Sequence, residues 1–133
     1  MSLFETKYGD HLYVIFRIAI GALFLMHGLQ KLLGLWGMPG GPAAFGTLAW
    51  YAGVAEVLIG PALIFGVLTR LASFFGVIEM LVAFNVHFSM GGWNPVTNQG
   101  ELALMFMFAF LVTLAYGARK VSLEQAVLGK EFF

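Results

Sequence analysis

The sequence predicts an all-α integral membrane protein. It reads as an antiparallel bundle of four transmembrane helices with both termini cytoplasmic and a short interfacial helix near the C-terminus. Three observations carry this. Of the 133 residues 60% are hydrophobic and only 11% are charged, whereas soluble domains carry about 25% charged residues. Four apolar runs approach the roughly 20 residues that a helix needs to span the hydrocarbon core. The lysines and arginines outside those runs all fall on one side of a four-pass chain.

The first helix is expected at about 12–35. Glu5 and Asp10 precede it, its apolar run is longer than the core of a signal peptide, and no small-residue cleavage site follows. It therefore reads as a retained helix rather than a cleaved leader. Residues 34–47 (GLWGMPGGPAAFGT) are uncharged and rich in Gly and Pro. They are too irregular for a helix and too apolar for a free loop, so they belong at the membrane surface or folded back over the bundle. The second helix is expected at about 48–68, with Gly60-Pro61 removing one backbone donor and kinking it. Thr69-Arg70 reads as a tight turn, making helices two and three antiparallel neighbours. The third helix is expected at about 71–90 and carries the small pair Ala72 and Gly76, which favours close packing. A breaker run, GGWNPVTNQG, precedes the fourth at about 101–117. Ser122-Leu123-Glu124-Gln125 then matches a capping box and predicts a short amphipathic helix from about Leu123 to Lys130. No repeat divides the chain, so it reads as one domain.

Lys7, Arg70, Arg119, Lys120 and Lys130 lie on one side of this path, and the two loops on the other side hold no lysine or arginine. The positive-inside rule then places both termini in the cytoplasm. Arg70 reads as a topology anchor and His11 as interfacial. The zero net charge points to no nucleic acid or acidic partner. With no cysteine, thiolate metal sites, iron–sulfur clusters and thiol–disulfide exchange by this chain are excluded. No metal site is expected. A redox role would need a bound cofactor, a quinone or a partner subunit.

Polar residues inside the apolar runs are costly. An ionisable group near the bilayer centre costs about 2.5–3.5 kcal/mol on insertion scales. At 1.5 Å per residue, His27 lies about 12 Å and Lys31 about 6 Å below the outer end of the first helix. Glu56 lies about 12 Å below the outer start of the second. His87 falls near the outer end of the third helix and Glu101 at the outer start of the fourth. Five ionisable groups, His27, Lys31, Glu56, His87 and Glu101, thus converge on the outer half. Intramembrane charges point inward and pair, so Lys31 is expected to meet Glu56 or Glu101. Arg17, nearer the cytoplasm, is expected to reach Glu79 as a supporting pair. Structural readings stand beside these. Asn98-x-x-Glu101 resembles a capping box, Lys31 can snorkel to the interface, and His27 with Glu56 can be a purely structural pair. His87 with Asn85 can be an interhelical hydrogen-bond set. The Met and Phe residues of the fourth helix need no cofactor.

Taken in order, Arg17, Gly21 and His27-Gly28-x-x-Lys31-Leu32 are followed by Gly53-x-x-Glu56-x-x-x-Gly60, Gly66-x-x-Thr69-Arg70 and Asn98-x-Gly100-Glu101-Leu102-Ala103-Leu104. In these blocks, which span nearly the whole chain, the sequence resembles the DoxX family of small four-helix membrane proteins. The resemblance implies a link to membrane redox processes. The related DoxD family is a subunit of thiosulfate:quinone oxidoreductase, and other members are tied to oxidative and thiol stress or to quinone and catechol detoxification, beside soluble partners. Helix three carries little of the family pattern.

The expected function is accordingly a membrane subunit of a quinone-linked redox or oxidative/thiol-stress system. It would act as an oxidoreductase subunit only with a partner, with a quinone as the ligand and no intrinsic cofactor. The alternative is a non-catalytic scaffold or assembly subunit of a larger membrane complex. A b-type haem held by His27 and His87 is less favoured because their heights differ by about 6 Å. A channel or transporter is less favoured because four short helices make a narrow bundle. The lipid bilayer is the first partner, with a protein partner or a second copy beside it.

Overall fold

A computed structural model describes residues 8 to 132. Five helices follow one another: α1 (Gly9–Leu33), α2 (Leu48–Phe65), α3 (Thr69–Gly91), α4 (Glu101–Tyr116) and α5 (Leu123–Leu128). The first three are long and apolar enough to cross a membrane, and α4 is a shorter apolar helix of 16 residues. Glu5 and Lys7, which entered the reading of the leader and of the charge asymmetry, lie outside the described residues.

Helices α1 and α2 make the most intimate pair, with α3 and α4 next and α2 against α3 more loosely packed. Glycine explains the first contact. A Cβ added at Gly60 would stand 2.8 Å from the Gly21 carbonyl oxygen, and one at Gly28 would stand 2.9 Å from the Gly53 carbonyl oxygen. Only hydrogen at these positions lets the two backbones approach so closely. On the other side, the Phe110 ring lies over Gly76, one turn from buried Ala72. Phe24 closes α1 onto α4, edge-on to Phe110 at 4.7 Å and tilted against Phe106 at 5.3 Å. These rings, with Ile59, Leu63 and Met80, form the core. Met105 and Phe108 of α4 are exposed instead, as a lipid-facing surface requires.

The connections correct several expectations. The second helix ends at Phe65, where Gly66 turns left-handed (φ 67°), and α3 already begins at Thr69. The turn is therefore Gly66-Val67-Leu68 rather than Thr69-Arg70. Leu68 is also left-handed (φ 47°) and donates its N–H to the Glu124 carboxylate at 3.0 Å. Pro61 lies inside α2 without ending it. Residues 34–47 fold back onto α1: the Ala43 N–H donates to the Lys31 carbonyl at 2.7 Å. Ser122 caps α5 as expected, accepting from the Gln125 N–H at 3.2 Å, but α5 stops at Leu128.

Arg17 departs furthest from expectation. It is wholly buried on α1 and makes no pair with Glu79. Its guanidinium donates to the carbonyl of Ala118, to that of Val121 at 2.8 Å and, at 3.5 Å, to those of Lys120 and Ile64. A planar five-donor fork suits a cluster of carbonyls better than a single carboxylate. The segment it grips holds Arg119 and Val121 in left-handed conformations (φ 53° and 58°), rare for a β-branched residue. Other side chains tie down the same segment. The Tyr13 hydroxyl donates to the Gly117 carbonyl at 2.5 Å, and Glu131 accepts from the Ala118 N–H at 2.6 Å. Arg70 donates to the Leu114 and Ala115 carbonyls at 2.9 and 2.8 Å, satisfying the open end of α4. Arg119 and Lys120 pair with Asp10 at the start of α1. The basic residues near α4's end thus gather at the end of the bundle where α1 begins, while Lys31 stands at the end where α1 stops.

Candidate functional site

Three of the four bundle helices deliver polar side chains to that second end. Gly28 lets α1 settle against α2 beside Glu56, and Lys31, three residues on, shares its face. The Lys31 ammonium donates to Glu56 Oε1 at 2.5 Å. Of Lysine's two expected partners, Glu56 is the one it takes. The Glu56 side chain is only 2% exposed, and its second oxygen, Oε2, has no hydrogen-bond partner. A buried carboxylate oxygen left unsatisfied is uncommon in folded proteins.

Lys31 and Glu56 border a cavity of about 270 Å³ that also receives His27, His87 and Gln99. Phe24, Met80, Ala83, Leu102, Ala103 and Phe106 wall it. His27 stands edge-on to Phe106, with ring centres 5.8 Å apart, and makes no hydrogen bond among the described residues. His87 Nδ1 lies 3.1 Å from the Asn98 carbonyl oxygen. That oxygen can only accept, so Nδ1 carries the proton, and in the neutral ring Nε2 is left as an acceptor. A ring nitrogen fixed in this way orients its imidazole. The partner of His87 is therefore Asn98 in the α3–α4 turn, not Asn85.

Glu101 is not part of this group. It is exposed at the first turn of α4 and does not line the cavity. Nor does the expected capping box form. Asn98 Oδ1 accepts from the Gly100 N–H at 2.7 Å and its amide donates to the Gly92 carbonyl, also at 2.7 Å. Asn98 thus braces the turn, and Gly100 begins α4 without a side-chain cap. A carboxylate in the first turn still complements the helix dipole.

Glu79 joins the site from a direction the sequence reading did not give it. Both of its carboxyl oxygens are buried and no donor group of the described residues reaches them, but they stand within hydrogen-bond reach of the Glu56 carboxyl. It faces Glu56 rather than Arg17, and with Glu56 it lines a second, wider space of about 410 Å³ between α2 and α3. Lys31, Glu56, Met80, Ala83 and His87 border both spaces. Met80, Ala83 and His87 fall at i, i+3 and i+7 on one face of α3, so helical spacing from His87 was the signal for Met80 and Ala83. Phe24, three residues before His27, follows from the same rule. Gln99 has a left-handed backbone (φ 62°) in the turn before α4, and periodicity gives no warning of it.

The family model for DoxX matches residues 12–90. An uncharacterized protein of Haemophilus influenzae is 33% identical over 129 residues, which cover 93% of this chain and 96% of that protein. A second uncharacterized protein of the same organism is 33% identical over 79 residues, covering 59% of this chain and 52% of its own length. No solved structure matches the chain. The matched region contains α2 whole, nearly all of α1 and α3, and with them His27, Lys31, Glu56, Glu79 and His87, so the chain is a multi-pass membrane protein that belongs to the DoxX family.

Proposed function

We propose that this DoxX protein is the membrane subunit of a quinone-linked redox or oxidative/thiol-stress system, and that the cavity bordered by His27, Lys31, Glu56 and His87 is where the quinone head binds. One observation carries the reading. A titratable imidazole, an ammonium and an under-bonded carboxylate from two helices meet a second imidazole on a third helix around a space walled by aromatic and aliphatic side chains. A few convergent polar groups in an otherwise apolar pocket are the usual composition of a small-molecule site. A quinone offers two carbonyl oxygens as acceptors. The Lys31 ammonium is a donor to one of them, and His27, free of other hydrogen bonds, can exchange a proton at the same place. Reduction to the quinol takes up two electrons and two protons. The side chains serve the protons, and in this reading a partner protein supplies or removes the electrons.

The lysine and arginine asymmetry sets the orientation in this reading. The four helices run antiparallel, both termini are cytoplasmic, and the cavity lies in the outer half of the bilayer. The electron-transferring partner, or a second copy of this chain, then docks within the membrane or at its surface. The reading needs no haem, and the purified protein should show no Soret band.

His27→Ala and Lys31→Met test the proposal in membranes that contain the native partner. Quinone-linked activity per folded protein should fall sharply in both variants. Unchanged activity in both variants would sink the reading. A scaffold role has one observation in its favour, the dense bonding that fixes residues 117–121 against α1. A stoichiometric complex that keeps full activity after His27→Ala would select it.

A further inference from the structure

We propose that the cleft between α2 and α3 is a lateral entrance from the bilayer, and that Glu79 stands at its floor as a proton-bearing acid that receives the neutral, carbonyl-bearing head of an amphiphile with an apolar chain. The proposal rests on the reading of the polar cluster as a ligand site and names the route and class of that ligand.

The cleft exists because α2 and α3 pack loosely compared with the glycine-zipped α1–α2 pair. Its space of about 410 Å³ exceeds the inner cavity of about 270 Å³. Its walls are mainly apolar, with Leu48, Ala52 and Ala55 on α2 facing Val82 and Val86 on α3, and Tyr51 adds one hydroxyl. Leu48, Val82 and Val86 are exposed, so the cleft opens on the surface that meets lipid. A wall of this composition suits a hydrocarbon chain.

The floor is different. Lys31, Glu56, Glu79 and His87 border it. The Lys31–Glu56 pair is neutral as a whole. Glu79 has two buried oxygens that no donor group of the described residues reaches, and Glu56 keeps one. An ionised Glu79 in this place would be a buried charge with no donor, facing a second carboxylate. A proton on Glu79 removes both penalties, and its O–H donates to the Glu56 carboxyl while the site holds no ligand. Among the groups facing it, Lys31 gives one of its three N–H groups to Glu56, and His87 gives Nδ1–H to the Asn98 carbonyl. A floor with no net charge, whose one acid hydrogen can turn from Glu56 to an incoming carbonyl oxygen, matches a neutral head better than a phosphate.

A lipid-soluble carbodiimide, dicyclohexylcarbodiimide, reads both parts. A protonated carboxyl adds its O–H across a C=N bond of the reagent. The O-acylisourea formed rearranges by acyl shift to an N-acylurea, which adds the whole reagent mass at that residue. The wild-type protein in lipid nanodiscs should gain this adduct on the peptide containing Glu79. A water-soluble carbodiimide should leave Glu79 untouched. Ala52→Phe, which fills the cleft without bordering the inner cavity, should lose the labelling, with an unchanged melting profile as the check on folding. Val82→Phe on the facing helix does the same from the other wall if Ala52→Phe does not fold. Ala52→Phe should also weaken binding of a long-chain quinone and leave a tail-less quinone bound as before. No adduct on Glu79, labelling by the water-soluble reagent, wild-type labelling in the folded filled-cleft variant, or equal effects on long-chain and tail-less quinones would overturn the proposal. If the wild-type protein binds neither quinone, the quinone reading fails, and labelling still decides entrance and acid by itself.

Discussion

At the residue scale, the Lys31–Glu56 pair has a testable energetic signature. Removing one member of a buried pair leaves an uncompensated charge and costs about 3–5 kcal/mol, whereas replacing both with neutral groups costs far less. Lys31→Met should therefore destabilise the protein by about that amount, and Lys31→Met with Glu56→Gln should recover most of the loss. Unfolding in mixed micelles measures the cycle, and additive losses would show that the two groups act independently. Gly60→Ala is the second case. Its new Cβ would stand 2.7 Å from Leu25 Cβ and 2.8 Å from a backbone oxygen, an overpacking that costs about 1–3 kcal/mol in the same assay. His27, Lys31, Glu56 and His87 were legible in the sequence because each breaks an apolar run at a similar depth. Glu79 was visible for the same reason, but its partner was not. Depth along a helix comes from counting residues, whereas the choice between Arg17 and Glu56 depends on which helices touch. Glu101 matched the others in depth, and its exposure follows from rotation about α4, which counting does not give.

At the element scale, the helices themselves were legible to within a few residues, because apolar length and the breaker runs around Gly34 and Gly92 set them. Their ends were less so. Gly66 stops α2 three residues earlier than hydropathy predicts, since Val67 and Leu68 are as apolar as the helix they leave. The link at residues 117–121, between α4 and the capped α5, could not be read from local pattern. It is held by contacts across about a hundred residues of sequence, from Tyr13, Arg17 and Asp10. Arg17→Met should leave the Ala118 and Val121 carbonyls without their donor. A buried unsatisfied group costs about 1–3 kcal/mol. Amide hydrogen exchange should then accelerate at residues 117–124 and stay unchanged in the middle of α2. Arg17→Lys should restore protection only in part, since an ammonium lacks the planar fork that reaches several carbonyls at once. Equal protection in all three proteins would remove Arg17 from this role.

At the scale of the whole molecule, the proposed topology makes a simple demand. The chain has no cysteine, so single cysteines can be introduced without a background. In intact cells, a membrane-impermeant maleimide should label Gly41→Cys or Val96→Cys from outside and Lys130→Cys only after the membrane is opened. Labelling of Lys130→Cys from outside would invert the bundle and put the cavity in the inner half of the bilayer. The central claim, that the cavity of His27, Lys31, Glu56 and His87 holds a quinone head, is tested most directly by equilibrium binding of a long-chain quinone to the purified protein in nanodiscs. The account predicts saturable binding, weakened about tenfold or more in His27→Ala and in Lys31→Met, as expected for the loss of one hydrogen bond to a bound head. Absence of saturable binding to the wild-type protein, or equal affinity in all three, would contradict it.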